Sequence, residues 1–226
     1  MNIIHKFFLF AQDMYITLSS FLSPSIIHNT EKHTVIKKVL FYKHIEAVPG
    51  DYLEFGVYEG TSLKGAATYW RRIGKKRTHF YGFDSFSGMK MEKGDEHPFY
   101  GTFDFSTELR AIQKRFRKFP EVTLVPGFFQ QTLKKSPQSY GINNASVVMM
   151  DCDLYSSVSL AFDFLKTLVS PGTVLILDDY FNYKADKTKG VQAAFTEFCE
   201  KNKITYQELI RYGIGGVVFI VSGIKK

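Results

Sequence analysis

Cysteine is scarce in this chain. Cys152 and Cys199 are the only two in 226 residues, too few for a disulfide framework and without the Cys/His spacing of a structural zinc site. A reducing, cytoplasmic setting is the expectation. Internal repeats are lacking at every period of roughly 20–50 residues, and no segment is of low complexity, which excludes solenoids, propellers and fibrous arrays. Long apolar runs are missing as well. The amino-terminal stretch is rich in large apolar residues, yet Lys6 and Asp13 interrupt it, Ser and Thr dilute the part after Asp13, and Pro24 stops it. Phe7 to Ala11 falls short of the roughly 7–15 apolar residues of a secretory signal. Nothing approaches the ~20 residues of a membrane helix, so no transmembrane segment is expected.

The residues that are present make a globular protein. Hydrophobic residues make up 45%, charged residues 23% and aromatic residues 16%, a balance that supports one real core and speaks against disorder. The length suits one domain with a small appendage. A net charge of +7, from 29 Lys and Arg against 22 Asp and Glu, could favour anionic partners. The basic residues form short clusters (Arg71, Arg72, Lys75, Lys76, Arg77; Lys114, Arg115, Arg117, Lys118) at expected helix ends, where a solvated face is the ordinary reason, so no nucleic-acid partner is expected. Ile3, Ile4, Phe7, Phe8, Phe10, Met14, Leu18 and Phe21 approximate helical spacing on one broad face. Residues 1–30 therefore read as a helical extension, docked on the core or on a second copy in a homo-oligomer, or serving as a mobile cover. Residues 31–226 read as the main domain.

From Glu31 onward the elements alternate. Helical spacing over Glu31 to Ala47 ends at Pro49-Gly50, and the apolar run 51–57 reads as a buried strand. Further strands are expected at 78–84, 122–127, 145–151 and 172–179, with helices over 62–73, 107–119, 156–169 and 189–202 and two closing runs, 204–212 and 215–223. Residues 85–107 form a Gly-, Asp- and aromatic-rich loop too long for a connector, and so a candidate binding loop. Continuous apolar strands between amphipathic helices imply a mostly parallel, doubly wound α/β sheet covered on both faces. Ligands bind such sheets beyond the carboxyl ends of the strands.

Those ends are acidic. Glu54-Phe55-Gly56-Val57-Tyr58-Glu59-Gly60-Thr61-Ser62 places glycines at the turn after the first strand, without the Gly-x-Gly-x-x-Gly spacing of a dinucleotide site, and Glu54 would repel a phosphate and suit a cationic ligand. Asp84 ends the next strand, where a carboxylate can accept both hydroxyls of a ribose; a local cap is the alternative. Asp151-Cys152-Asp153 and Asp178-Asp179 put four carboxylates at the ends of neighbouring strands, an arrangement that calls for a cation or a shared proton. Oxygen-only ligands select a hard divalent ion, Mg²⁺ before Zn²⁺. Asp178 and Asp179 can meet one ion only if the strand has already bent at that point. Otherwise one of each pair would cap a following helix, as Asp153 could for the helix from Ser156.

In this order, VPGDYLEFGVYEGTS (48–62), YGFDSFSGM (81–89), VPGFFQQTL (125–133), MDCDLYSS (150–157), SPGTVLILDDY (170–180) and KGVQAAFTEF (189–198) resemble the macrocin O-methyltransferases of TylF type over roughly residues 45–200. These are Mg²⁺-dependent class I methyltransferases that use S-adenosylmethionine. The resemblance implies a Rossmann-like, mostly parallel seven-stranded sheet. It implies cofactor contacts from Glu54, Gly56, Gly60, Ser62, Asp84, Ser85, Gly127, Phe128, Phe129 and Asp151, with Glu54 and Gly56 near the methionine end, Asp84 on the ribose and Gly127 through Phe129 near the adenine. It also implies Asp151, Asp178 and Asp179 as Mg²⁺ ligands and Asp153 as general base. Where family members often carry a basic residue and paired small residues after the first strand, this chain has Glu59-Gly60-Thr61. The expected acceptor is a small molecule with neighbouring hydroxyls, a sugar or a sugar-bearing compound. The alternatives are a catechol acceptor, or a nicotinamide-dependent oxidoreductase on a similar sheet.

Overall fold

The computed structural model describes residues 3–74, 77–101 and 104–225. Lys75 and Lys76 of the basic cluster, and the side chain of Ile3, lie outside the described residues. Two helices open the chain, α1 (Ile3–Ser20) and α2 (Pro24–Ile45). There follow β1 (Asp51–Phe55), α3 (Thr61–Ile73), β2 (Phe80–Asp84), α4 (Leu109–Phe116), β3 (Val122–Pro126) and α5 (Phe129–Thr132). After β4 (Ala145–Met150), α6 (Tyr155–Leu165) and β5 (Val174–Leu177), the chain closes with α7 (Gly190–Lys201), β6 (Ile204–Tyr212) and β7 (Gly216–Ile224).

The strands form one seven-stranded sheet in the order β3-β2-β1-β4-β5-β7-β6. The first five run parallel, and β7 pairs antiparallel with both β5 and β6. Side chains alternate between the faces of each strand. Leu53 and Phe55 thus join Phe162, Phe195 and Val191 under α6 and α7, whereas Tyr52, Val147 and Met149 join Ile36, Leu63 and Phe116 under α2, α3 and α4. Every residue of β4 is buried, which is why the central strands read as continuous apolar runs. Burying one such large side chain contributes about 1.5–3 kcal/mol.

One expectation is corrected. Helix α2 begins at Pro24 rather than at Glu31, because Ser23 accepts a hydrogen bond from the Ser25 amide and Pro24 occupies the first helical turn. The Ser-Pro step that ends one apolar run is also a helix start signal. Of the places open to the amino-terminal helix, packing on this chain's own core is not seen among the described residues. Ile4, Phe7, Phe8, Phe10, Met14, Leu18 and Phe21 are all exposed, and among the described side chains none of α1 belongs to either core cluster. Among the described residues, no helix is long and apolar enough to cross a membrane.

Candidate active site

The five parallel strands end on one rim, where a cavity of about 670 Å³ opens, within the usual range for small-molecule sites. Met150 and Leu177 are register partners at the ends of β4 and β5, so Asp151 and Asp178 leave the sheet side by side. Beyond Leu177 the chain is already in a turn. The alternation that would have sent Asp178 and Asp179 to opposite faces has therefore ended. One oxygen from each of Asp151, Asp178 and Asp179 lies within 4.8 Å of the others.

Asp153 adopts a left-handed conformation, φ 58°, which Asp tolerates better than most side chains. The tight turn is closed by the Leu154 amide donating to the Cys152 carbonyl at 2.6 Å. Asp153 does not cap α6, whose cap position is Leu154 and carries no side-chain hydrogen bond. The cap comes from the long loop. Buried Asp95 accepts from the Ser156 hydroxyl at 2.5 Å and the Ser156 amide at 3.2 Å, and the Tyr183 hydroxyl donates to the Asp95 carbonyl at 3.0 Å.

The carboxylates are met by residues of α2. Lys32 Nζ lies 2.9 Å from Asp151 Oδ2 and 2.6 Å from Asp178 Oδ2. His28, one turn earlier, donates from Nε2 to Asp178 Oδ2 at 3.0 Å while its Nδ1 accepts from the Ile214 amide at 3.1 Å. The Tyr212 hydroxyl donates to Asp178 Oδ1 at 2.6 Å. Burial alone would raise Asp178, but the Lys32 charge and the His28 hydrogen bond outweigh it and hold the carboxyl below its ordinary value. Asp151, Asp153 and Asp179 are all raised, by burial first. After burial, Asp178 acts on Asp151, and Asp153 on Asp179. Burial would lower Lys32, yet Asp151 and Asp178 reverse the sign and keep it an ammonium. Buried carboxylates need such compensation.

Across the cavity stands the long loop. The Tyr100 hydroxyl donates to Asp179 Oδ1 at 3.2 Å and accepts from Asn182 Nδ2 at 2.6 Å. His97 packs on Tyr100, ring centroids 4.6 Å apart, and on Tyr183 at 4.8 Å. His97 and Tyr100, with Phe99 and Phe105, make an aromatic wall of the cavity.

The expected cofactor residues divide. Gly56, Asp84, Ser85, Phe128, Phe129 and Asp151 line the cavity, whereas Glu54, Gly60, Ser62 and Gly127 do not. Alternation along β1 turns Glu54 toward α3, where it is fully buried and accepts from Tyr52 Oη at 2.8 Å and Ser62 Oγ at 2.7 Å; burial pushes its pKa up to about 7. Its expected place beside the methionine end of a ligand is not the place it occupies. Gly56 has φ +89°, and a Cβ there would collide with the Asp151 carbonyl, so only glycine lets β1 and β4 end this close together. Asp84 lines the cavity, but its oxygens already accept from the amides of Val57 (2.6 Å), Tyr58 (2.8 Å) and Phe86 (2.7 Å). The local capping alternative is therefore the one the hydrogen bonds show. Sequence reasoning missed His28, Lys32, Asp95, Tyr100, Asn182 and Tyr212. Only the i, i+4 spacing of His28 and Lys32, which puts both on one helix face, was there to be read.

A cavity at the carboxyl ends of a mostly parallel sheet in this strand order defines the Rossmann-like methyltransferase fold. The same fold is seen in the O-methyltransferase NovP, with 23% identity, a TM-score of 0.69, and coverage of 84% of this chain and 79% of that one. It is also seen in the calicheamicin methyltransferase CalS11, with 16% identity, a TM-score of 0.68, and coverage of 83% and 77%. The model of the macrocin O-methyltransferase (TylF) family matches residues 30–219, and the chain belongs to that family. Mycinamicin III 3''-O-methyltransferase of Micromonospora griseorubida is 30% identical over 148 residues, 60% of this chain and 57% of that protein. A tetracenomycin-C rhamnosyl 4'-O-methyltransferase of Streptomyces olivaceus is 29% identical over 146 residues, 60% of this chain and 54% of that protein. The chain thus aligns with little more than half the length of these relatives.

Proposed function

We propose that this protein transfers a methyl group from S-adenosylmethionine to a hydroxyl of a sugar or sugar-bearing small molecule, at a site that takes a divalent cation. The observation that carries the reading is the convergence of Asp151, Asp153, Asp178 and Asp179 on one cavity wall. The relatives' names support a sugar acceptor, and family membership removes the oxidoreductase alternative.

The donor set fits a hard cation: carboxylate oxygens only, with the Lys32 ammonium already supplying positive charge between two of them. Asp151, Asp178 and Asp179 would hold Mg²⁺, which when bound supplies the Lewis acidity that lowers the pKa of an acceptor hydroxyl. Asp153 takes the hydroxyl proton, and burial, which raises its proton affinity, suits it to that task. The acceptor oxygen attacks the sulfonium methyl; the new C–O bond forms as the C–S bond breaks, and its electron pair stays on sulfur. Gly56, Asp84 and Phe128 line the part of the cavity suited to the nucleoside. The loop carrying His97 and Tyr100 covers the acceptor side and excludes water. That aromatic wall also favours a second acceptor class, a flat catechol.

The test combines calorimetric titration of S-adenosylmethionine with methyl transfer to rhamnosyl and catechol acceptors. Asp153→Asn is expected to lower kcat by about 10²-fold or more with cofactor affinity within a few fold. An unchanged rate removes Asp153 from the chemistry. Turnover that survives exhaustive chelation and Asp178→Asn removes the cation. Failure of S-adenosylmethionine to bind overturns the reading as a whole.

A further inference from the structure

Among the described residues, Lys32 is the one Lys or Arg paired with two of the carboxylates assigned to the cation. It reaches them from α2, 119 residues away from Asp151 in sequence. Its side chain is one-tenth exposed, and its ammonium touches Asp151 and Asp178 at contact distance. A divalent ion bound by those same oxygens would have that ammonium within a few ångströms, a like-charge contact that a buried setting screens poorly. The two cations therefore exclude each other. His28 and Tyr212 are not an equivalent obstacle: each donates a hydrogen bond to Asp178 alone, and such donors can remain around a carboxylate that also binds metal.

We infer that Lys32 is an internal cation that holds the carboxylate cluster together before the divalent ion arrives and must withdraw from Asp151 and Asp178 when it binds. The inference rests on the proposed metal site. Lys32 is a positioning residue with a stability role: without it, Asp151 and Asp178 lose the ammonium they share, and Asp178 keeps only the donors His28 and Tyr212. It also lowers the apparent affinity for the ion, because each binding event must break two ion pairs. Pro24, Ser25, His28 and Asn29 line the same cavity from the same helix, so release of the ammonium frees one tether of that wall.

Two experiments read this without measuring turnover. The first is Mn²⁺ titration followed by electron paramagnetic resonance. Lys32→Met, which keeps the apolar stem and removes the charge, is expected to bind Mn²⁺ about tenfold tighter or better than wild type, a modest share of the field of one unit charge at this range. Lys32→Arg should stay near wild type. The second uses the unaltered protein, so it survives any folding failure of the variants. Reductive methylation mapped by peptide mass should label Lys32 several-fold faster when saturating Mg²⁺ is added, with exposed lysines as the internal standard. Equal or weaker Mn²⁺ binding by a folded Lys32→Met, or Lys32 labelling indifferent to bound Mg²⁺, overturns the inference and leaves the metal site standing. If neither wild type nor variant binds Mn²⁺, the metal site falls and the inference with it.

Discussion

Asp178 and Glu54 are both buried carboxylates at strand ends, and their surroundings drive them in opposite directions. Asp178 meets an ammonium, an imidazole and a phenol, and stays ionised. Glu54 is held by two hydroxyl donors rather than by an ion pair, and burial raises it from 4.5 to about 7. Between those values the folded protein keeps a proton that the unfolded chain has released. Stability from this group therefore falls as pH rises from about 4.5 to 7, and the penalty is complete above that window. Glu54→Gln, neutral throughout, should gain on wild type across the same window by up to about 3 kcal/mol, read as the difference in urea unfolding free energy at successive pH values. A difference that does not change with pH would show that folding does not raise the Glu54 pKa. The Glu-x-Gly pattern marked this residue correctly as special, but the period of two along β1 decided which face it would serve.

At the scale of elements, the loop of residues 85–107 is held by a cap it lends to another element. Asp95 fills the helix-capping role at Ser156 that Asp153 was positioned in sequence to fill, and this leaves Asp153 free to face the cavity. Asp95→Ala should cost about 1–3 kcal/mol, open the loop to limited proteolysis and raise the acceptor KM more than it lowers kcat. Ser156→Ala should reproduce part of the loss, and the double variant should cost less than the two separately, because both delete one interaction. Full additivity in thermal or chemical unfolding would show that the two residues act apart. Helix α2 is the other element whose place matters. It packs on one face of the sheet with Val35, Ile36, Val39 and Leu40 in the core, while Lys32, His28 and Glu31 face the strand ends and the β6–β7 turn.

For the whole molecule, the sheet and its two helical layers form one unit to which α1, among the described residues, contributes no core side chain. Helix α1 instead carries large apolar side chains that are exposed. Deleting residues 1–20 should keep unfolding cooperative, shift Tm by no more than about 2 °C and reduce binding of a hydrophobic dye, since the exposed rings of Phe7, Phe8 and Phe10 go with it. A fall in Tm above about 5 °C would show that α1 packs on the fold in solution.

The amino-acid sequence by itself determined the layered α/β sheet, because runs such as 145–150 are apolar at nearly every position and read as strands buried on both sides. It also determined the acidic rim, since strand ends, glycine turns and paired aspartates are local signals. Tertiary structure decided what those carboxylates face. The bend after Leu177, the turn that frees Asp153, the distant cap from Asp95 and the ammonium of Lys32 all depend on contacts between segments far apart in the chain, and no periodicity within a segment encodes its partner.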